Sequence, residues 1–181
     1  MTWILAGTAA LAVFFVLFIY NSLVSAKVKV SEAFSHIDVQ LKRRIDLIPN
    51  LIESVKGYVK HEKEVLENVT KARTSLMKAK SPQEKAESDN MLTDTLKSLF
   101  AVAENYPNLK ANENFLKLQD ELSDTENKIA YARQFYNSTV MDFNTKIQVF
   151  PNVLIAGMLG FKQADFFQGS QEDKKPIKVS F

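Results

Sequence analysis

The stretch FLKLQDELSDTENKIAYARQFYNSTVMDFNTKIQVF, residues 115–150, decides the fold. Phe115, Leu118, Leu122, Thr125, Ile129, Ala132, Tyr136, Val140, Phe143, Ile147 and Phe150 recur in steps of three and four. That is the period of one face of an α-helix. The alternation slips only around Tyr136, where two fours follow one another, as a stutter does in a coiled-coil register. Asn112 stands where an N-cap belongs, with Glu113 in the first turn. Such a helix of about 38 residues would be about 57 Å long. It holds only if its stripe is buried against neighbours of similar length.

Upstream, Val30, Phe34, Ile37, Leu41, Ile45, Ile48, Ile52, Val55 and Val59 repeat the same steps, and the stripe resumes through Val65, Val69, Ala72 and Leu76. Pro49 lacks a backbone donor and clashes with the preceding turn, so a kink or restart is expected over residues 46–49. At Ala79-Lys80-Ser81-Pro82 the chain breaks: Ser81 caps, Pro82 suits the first helical turn and Glu84 completes a capping box. The next helix runs to about Glu104, with Leu92, Leu96, Leu99 and Ala103 on one face. Residues 105–108, NYPN, form a turn cluster. With only 5 Gly and 5 Pro, the chain lacks the turns a β fold of this size needs.

At the N-terminus no side chain in residues 2–26 is charged, and residues 3–24 are apolar apart from Thr8, Asn21 and Ser22. At about 1.5 Å per residue this run is about 33 Å long, enough to cross a bilayer core. Trp3, Phe14, Phe15 and Tyr20 are the aromatic side chains that seat this anchor, Trp3 and Tyr20 near its two interfaces. Lys27 and Lys29 follow at once and no Lys or Arg precedes, so the positive-inside bias puts a very short N-terminus outside and the bulk of the protein in the cytoplasm. A cleaved signal peptide is the rival, since Val24-Ser25-Ala26 resembles a cleavage site; the uncharged N-terminus and the long apolar run argue against it. Ala6 and Ala10 form a small-xxx-small pair of the kind that lets anchors pack, a pattern Ala-rich spans produce readily by chance.

The fold class is therefore all-α: an N-terminal transmembrane helix continuing into a bundle of long antiparallel coiled-coil-like helices. The chain divides into an anchor (1–26), a helical bundle (27–150), an apolar C-terminal segment (151–167) and a polar tail expected to be disordered (168–181). Residues 27–80 hold 12 basic and 7 acidic side chains and residues 81–181 hold 11 and 14, so the first helices and their partners are electrostatically complementary; a basic helix near an anionic membrane surface is the other reading.

Little here carries reaction chemistry. The chain has no Cys, which excludes disulfides, thiolate metal sites and Cys nucleophiles. Of its two His, His61 opens HEKEV, which starts like a zinc-protease helix but has Val65 where the second His is needed. There is no Gly-rich phosphate loop and no nucleophile elbow. Asp120, Glu121, Asp124 and Glu126 read as a solvated helix face. A net charge of +2, without aromatic interleaving among the basic residues, gives no basis for nucleic acid as a partner. No catalytic residue, metal ligand or cofactor is expected.

Three groups remain as candidate interaction sites. Lys42, Arg43 and Arg44 lie about 24–30 Å past the span along a straight helix. That is several Debye lengths of about 8 Å, so ion pairing to the acidic last helix is simpler than lipid binding. Asn137, Asn144 and Asn152 follow Tyr136, Phe143 and Pro151 at nearly heptad spacing. They lie either on the flank of a core stripe or in a polar seam that sets register with another subunit. Finally Val153, Leu154, Ile155, Met158, Leu159, Phe161, Phe166 and Phe167 make an apolar segment half the length of a span. It either closes the bundle end or offers a surface to a neighbouring subunit, a partner or the membrane interface.

In order along the chain, Tyr20-Asn21, IDVQLKRRIDLIPNL (37–51), VKGY (55–58), His61-Glu62, YPNLKA (106–111), FLKLQ (115–119), Glu121-Leu122, TENKIA (125–130), Ala132-Arg133, Tyr136-Asn137, Asn144, Phe150-Pro151 and Gly160-Phe161 resemble the LemA family of bacterial membrane proteins. The resemblance covers nearly the whole chain. It implies a short exterior N-terminus, one anchor, a cytoplasmic antiparallel helical bundle and no known catalytic activity. It also implies kinship with proteins associated with magnetosome membrane formation and with others encoded beside membrane-bound zinc proteases. The leading expectation is a non-enzymatic, homo-oligomeric scaffold that contacts membrane lipid and organises or curves the membrane. The alternative is a helical adaptor for a membrane protein such as a membrane protease.

Overall fold

A computed structural model of the protein describes residues 1–58 and 62–168. Val59, His61 and all of the expected polar tail except Gln168 lie outside the described residues. Six helices follow in order: α1 (Thr2–Lys56), α2 (Lys63–Lys78), α3 (Pro82–Ala103), α4 (Pro107–Lys110), α5 (Glu113–Gln148) and α6 (Asn152–Met158). No strand occurs among the described residues.

α1 runs unbroken through Pro49, so of the kink or restart expected over residues 46–49 the restart does not occur. Pro49 has no N–H to return to the carbonyl of Ile45, four residues back, and that carbonyl instead accepts from Arg73 Nε of α2 at 3.1 Å. The stripe expected to continue into Val65 is cut at Gly57 instead. Tyr58 N–H turns back to Val55 O at 2.9 Å, and α2 starts only at Lys63; Gly is the weakest helix former after Pro. The break before Pro82 is as expected: Ser81 Oγ accepts from Glu84 N–H at 3.1 Å, while the Glu84 carboxylate accepts from Lys80 and Ser81 N–H. Asn112 Oδ1 caps α5 by accepting from Phe115 N–H at 3.1 Å. The NYPN cluster is a turn at its start only, because Pro107 opens the one-turn helix α4.

The described residues form two compact units, Met1–His36 with Gln134–Phe166, and Ile37–Arg133 with Phe167 and Gln168. In the second unit the later part of α1 is joined to α2, α3 and the first part of α5 by side-chain bonds, and α2 and α4 pack on α3. Its core includes Ile37, Leu41, Ile48, Leu51 and Val55 of α1, Leu92, Leu96 and Leu99 of α3, and Phe115, Leu122 and Ile129 of α5, all of them buried. Arg43 pairs with Asp124 and Tyr58 with Asn112, so α1 and α5 run antiparallel here. In the first unit the same antiparallel sense is fixed by ring contacts of Phe34 with Tyr136 (centroids 5.5 Å apart) and of Tyr20 with Phe161 (6.4 Å). Ile19, Leu23, Val30 and Ala33 bury one edge of α1, and Tyr136, Val140, Phe143 and Ile147 supply the α5 side.

Candidate membrane and interaction surfaces

The described residues contain one helix long and apolar enough to cross a membrane, α1, and almost none of its apolar window is covered by protein. Trp3, Phe14, Phe15 and Tyr20 are all exposed. An apolar surface of this extent is far larger than the few hundred Å² that soluble chains leave uncovered. Ile19 and Leu23 are the exceptions, buried at the foot of the span.

What covers that foot is the end of α5 and the segment after it. Gly160 adopts the left-handed conformation with φ 72°. Phe161 N–H then reaches Ala156 O (3.0 Å) and Gly160 N–H reaches Gly157 O (3.3 Å), a Schellman closure of α6. The closure turns Phe161 onto Tyr20 and places its ring 6.0 Å from Lys27 Nζ. Beyond it the chain is strapped to α5. Asn144 donates to Ala164 O (2.9 Å) and accepts from Ala164 N–H (2.8 Å), and Tyr136 Oη donates to Asp165 O (2.8 Å). Burial, and secondarily the Asp165 carboxylate, push the Tyr136 phenol above its ordinary range, so it stays a donor.

The apolar candidates separate accordingly. Val153, Leu154, Met158, Leu159 and Phe166 are exposed; Ile155 and Phe161 are half-buried. Phe167 falls on the core-closing side of the two readings: it is buried in the second unit, with the Arg133 guanidinium 4.8 Å from its ring centre. Asn144 falls on the core-flank side of its two readings, since its buried amide is engaged by the Ala164 backbone. Asn137 is half-buried, and the Asn152 amide donates to Lys146 O at 3.0 Å.

In the second unit the basic cluster resolves into ion pairs. Lys42 pairs along its own helix with Asp46 (3.3 Å), and Arg43 pairs with Asp124 of α5 (3.3 Å). Lys128, and more weakly Arg43, hold the exposed Asp124 carboxyl below its usual range. Arg44 is corrected as a surface candidate: it is 2% exposed. Its guanidinium donates to Asp89 Oδ1 at 2.9 Å and lies 3.6 Å from Glu126. Arg133 binds the other oxygen of Asp89. Asp89 therefore joins α1, α3 and α5. Sequence reading missed Asp89 and Arg133. The signal existed: Asp89 stands three residues before Leu92 on the α3 stripe, and Arg44 lies three after Leu41 and four before Ile48. A charge at a stripe position needs a buried partner of opposite sign.

A cavity of about 350 Å³ adjoins this cluster, lined by Arg44, Lys97 and Arg133 against Asp89, Asp94 and Glu126. The three cations there are balanced by three carboxylates. Among the described residues no three His, Asp or Glu side chains converge as a metal site would require.

The LemA family model matches residues 33–181. Protein LemA of Metamycoplasma hominis is 28% identical over 164 residues, covering 88% of this chain and 74% of its own. Magnetosome protein MamQ 2 of Paramagnetospirillum magneticum is 23% identical over 184 residues, covering 87% and 68%. With blocks such as IDVQLKRRIDLIPNL and YPNLKA in place on a helical frame that carries one helix long and apolar enough to cross a membrane, the chain belongs to the LemA family.

Proposed function

We propose that this protein is a non-enzymatic scaffold, anchored by a single pass in the bacterial inner membrane with its N-terminus outside, that self-assembles and organises or curves that membrane. The observation that carries the reading is the continuity of α1, one helix from Thr2 to Lys56 with no linker between apolar span and packed helices. A catalytic domain searching for substrate gains from a flexible tether; a scaffold gains from an anchor whose orientation passes directly into its helices. The buried Asp89 cluster and the paired Arg43 and Lys42 add to it, since they spend the charged groups on internal order. A relative named as a magnetosome protein fits a role at a membrane.

Electron microscopy of the full-length protein, purified and reconstituted in liposomes, tests this. Ordered assemblies, or vesicles reshaped only when protein is present, are expected. Dispersed single copies on unaltered vesicles would sink the scaffold and bring forward an adaptor for a membrane protein such as a protease. Crosslinking from position 42 would then capture one dominant foreign protein.

A further inference from the structure

Residues 147–161 carry no charged side chain and are bracketed by Lys146 and Lys162. Within them Phe150, Val153, Leu154, Met158 and Leu159 are exposed, Met158 at 86%. Their depth follows from the α1–α5 pairing. Gln148 ends α5 twelve residues past Tyr136, about 18 Å along the helix, which brings it level with Ser22 on antiparallel α1. The Tyr20–Phe161 contact fixes α6 at that same level, where the apolar span ends.

We propose that the face formed by residues 150–159 lies in the lipid–water interface of the bilayer that α1 crosses, as a second lipid contact beside the anchor. The inference rests on the anchor reading above and goes beyond it. Lipid fits this face better than a second copy. Five side chains around a seven-residue helix offer far less than the roughly 800 Å² per partner of a stable protein interface. The adjoining surface is the span itself, already apolar. Tyr20 and Phe161 supply aromatic rings at the boundary, and Lys27 and Lys162 supply amines that reach headgroups from apolar surroundings. An apolar helix buried about 5–10 Å deep takes up area in one leaflet only, which is how a single-pass protein would bias membrane shape.

Because the chain has no Cys, one introduced Cys labels alone. Full-length Met158→Cys, Leu11→Cys and Ser123→Cys variants, each carrying an environment-sensitive fluorophore, would be reconstituted in phosphatidylethanolamine vesicles containing a minority of phosphatidylglycerol. Position 158 should lose most of its emission to a lipid nitroxide near the top of the acyl chain and resist aqueous iodide. Position 11 should respond to a deep nitroxide, and position 123, exposed on α5, to iodide alone. Iodide quenching at 158 equal to that at 123 overturns the proposal. Iodide protection at 158 without lipid quenching also overturns it, in favour of a protein covering. Failure at 158 with position 11 quenched leaves the anchor standing; failure at 11 removes both.

Discussion

Replacing Arg73 by Met tests why a proline sits inside α1. In the native chain the Ile45 carbonyl has lost its intrahelical donor at position 49 and takes Arg73 Nε–H at 3.1 Å. Met keeps most of the aliphatic stem and removes the donor. A buried acceptor left unpaired costs about 1–3 kcal/mol; Ile45 is only half-buried, so the loss should fall near 1–2 kcal/mol. Pro49→Ala changes the reference. It restores an N–H that can bond Ile45 O within the helix and removes a residue about 3 kcal/mol less favourable than Ala in a helix interior. In that background Arg73→Met should cost only a few tenths of a kcal/mol. The assay is urea unfolding of the four full-length proteins in dodecyl maltoside, followed by far-UV circular dichroism. With slopes of about 1–3 kcal/mol per M, a coupling near 1 kcal/mol moves the midpoint by about 0.3–1 M. Equal costs of Arg73→Met in both backgrounds would refute the account.

Other outcomes follow from the same contacts. Asp89→Ala leaves Arg44 buried with its Asp89 contact gone and should cost about 3–5 kcal/mol, read as a lower urea midpoint in the same detergent. Gly160→Ala forces a side chain into the left-handed region and should cost about 1–2 kcal/mol; protease cleavage at Lys162 should quicken as the strap loosens. The Glu84 carboxyl is held below its ordinary value of 4.5, first by the backbone N–H groups of Lys80 and Ser81. Because the folded value is the depressed one, its contribution is complete above about pH 4.5 and fades as pH falls through the folded value. The thermal-midpoint gap between the native chain and Glu84→Gln should therefore narrow only on the acid side.

Most of the frame was legible because it is written in periodicity and caps. The α5 stripe, the Ser81–Glu84 box and the Asn112 cap are local patterns, each decided by neighbours within one turn. What was misread depended on partners distant in sequence. Pro49 looked like a break because its compensation, Arg73, lies 24 residues on, in another helix. Asn144 stayed divided between a core flank and a subunit seam because Ala164, the backbone that satisfies it, follows a turn no spacing rule anticipates. Of Lys42, Arg43 and Arg44, expected to pair with the acidic last helix, Arg43 and Arg44 reach α5 while Lys42 pairs within α1, and nothing separated the buried Arg44 from its exposed neighbours except its place on the stripe.

That last case carries a general point for this chain. Asp89 and Arg44 interrupt apolar stripes on α3 and α1 at positions where Leu would pack, and a buried ion pair is no stronger than a well-packed apolar pair. Its use here is selective. A long stripe of steps three and four can slide by a heptad with little loss of apolar contact. Sliding α5 against α1 by seven residues would leave Arg44 and Asp89 without Arg133 and Glu126 while the Leu and Ile positions still matched. The charged cluster thus fixes the register that the apolar residues leave open. Replacing Arg44 and Asp89 together by Met and Leu should keep helicity and leave the unfolding free energy within about 1–2 kcal/mol of native. It should also broaden the amide NMR spectrum of the second unit as more than one register becomes populated; sharp single resonances in that variant would show that the apolar residues set the register alone.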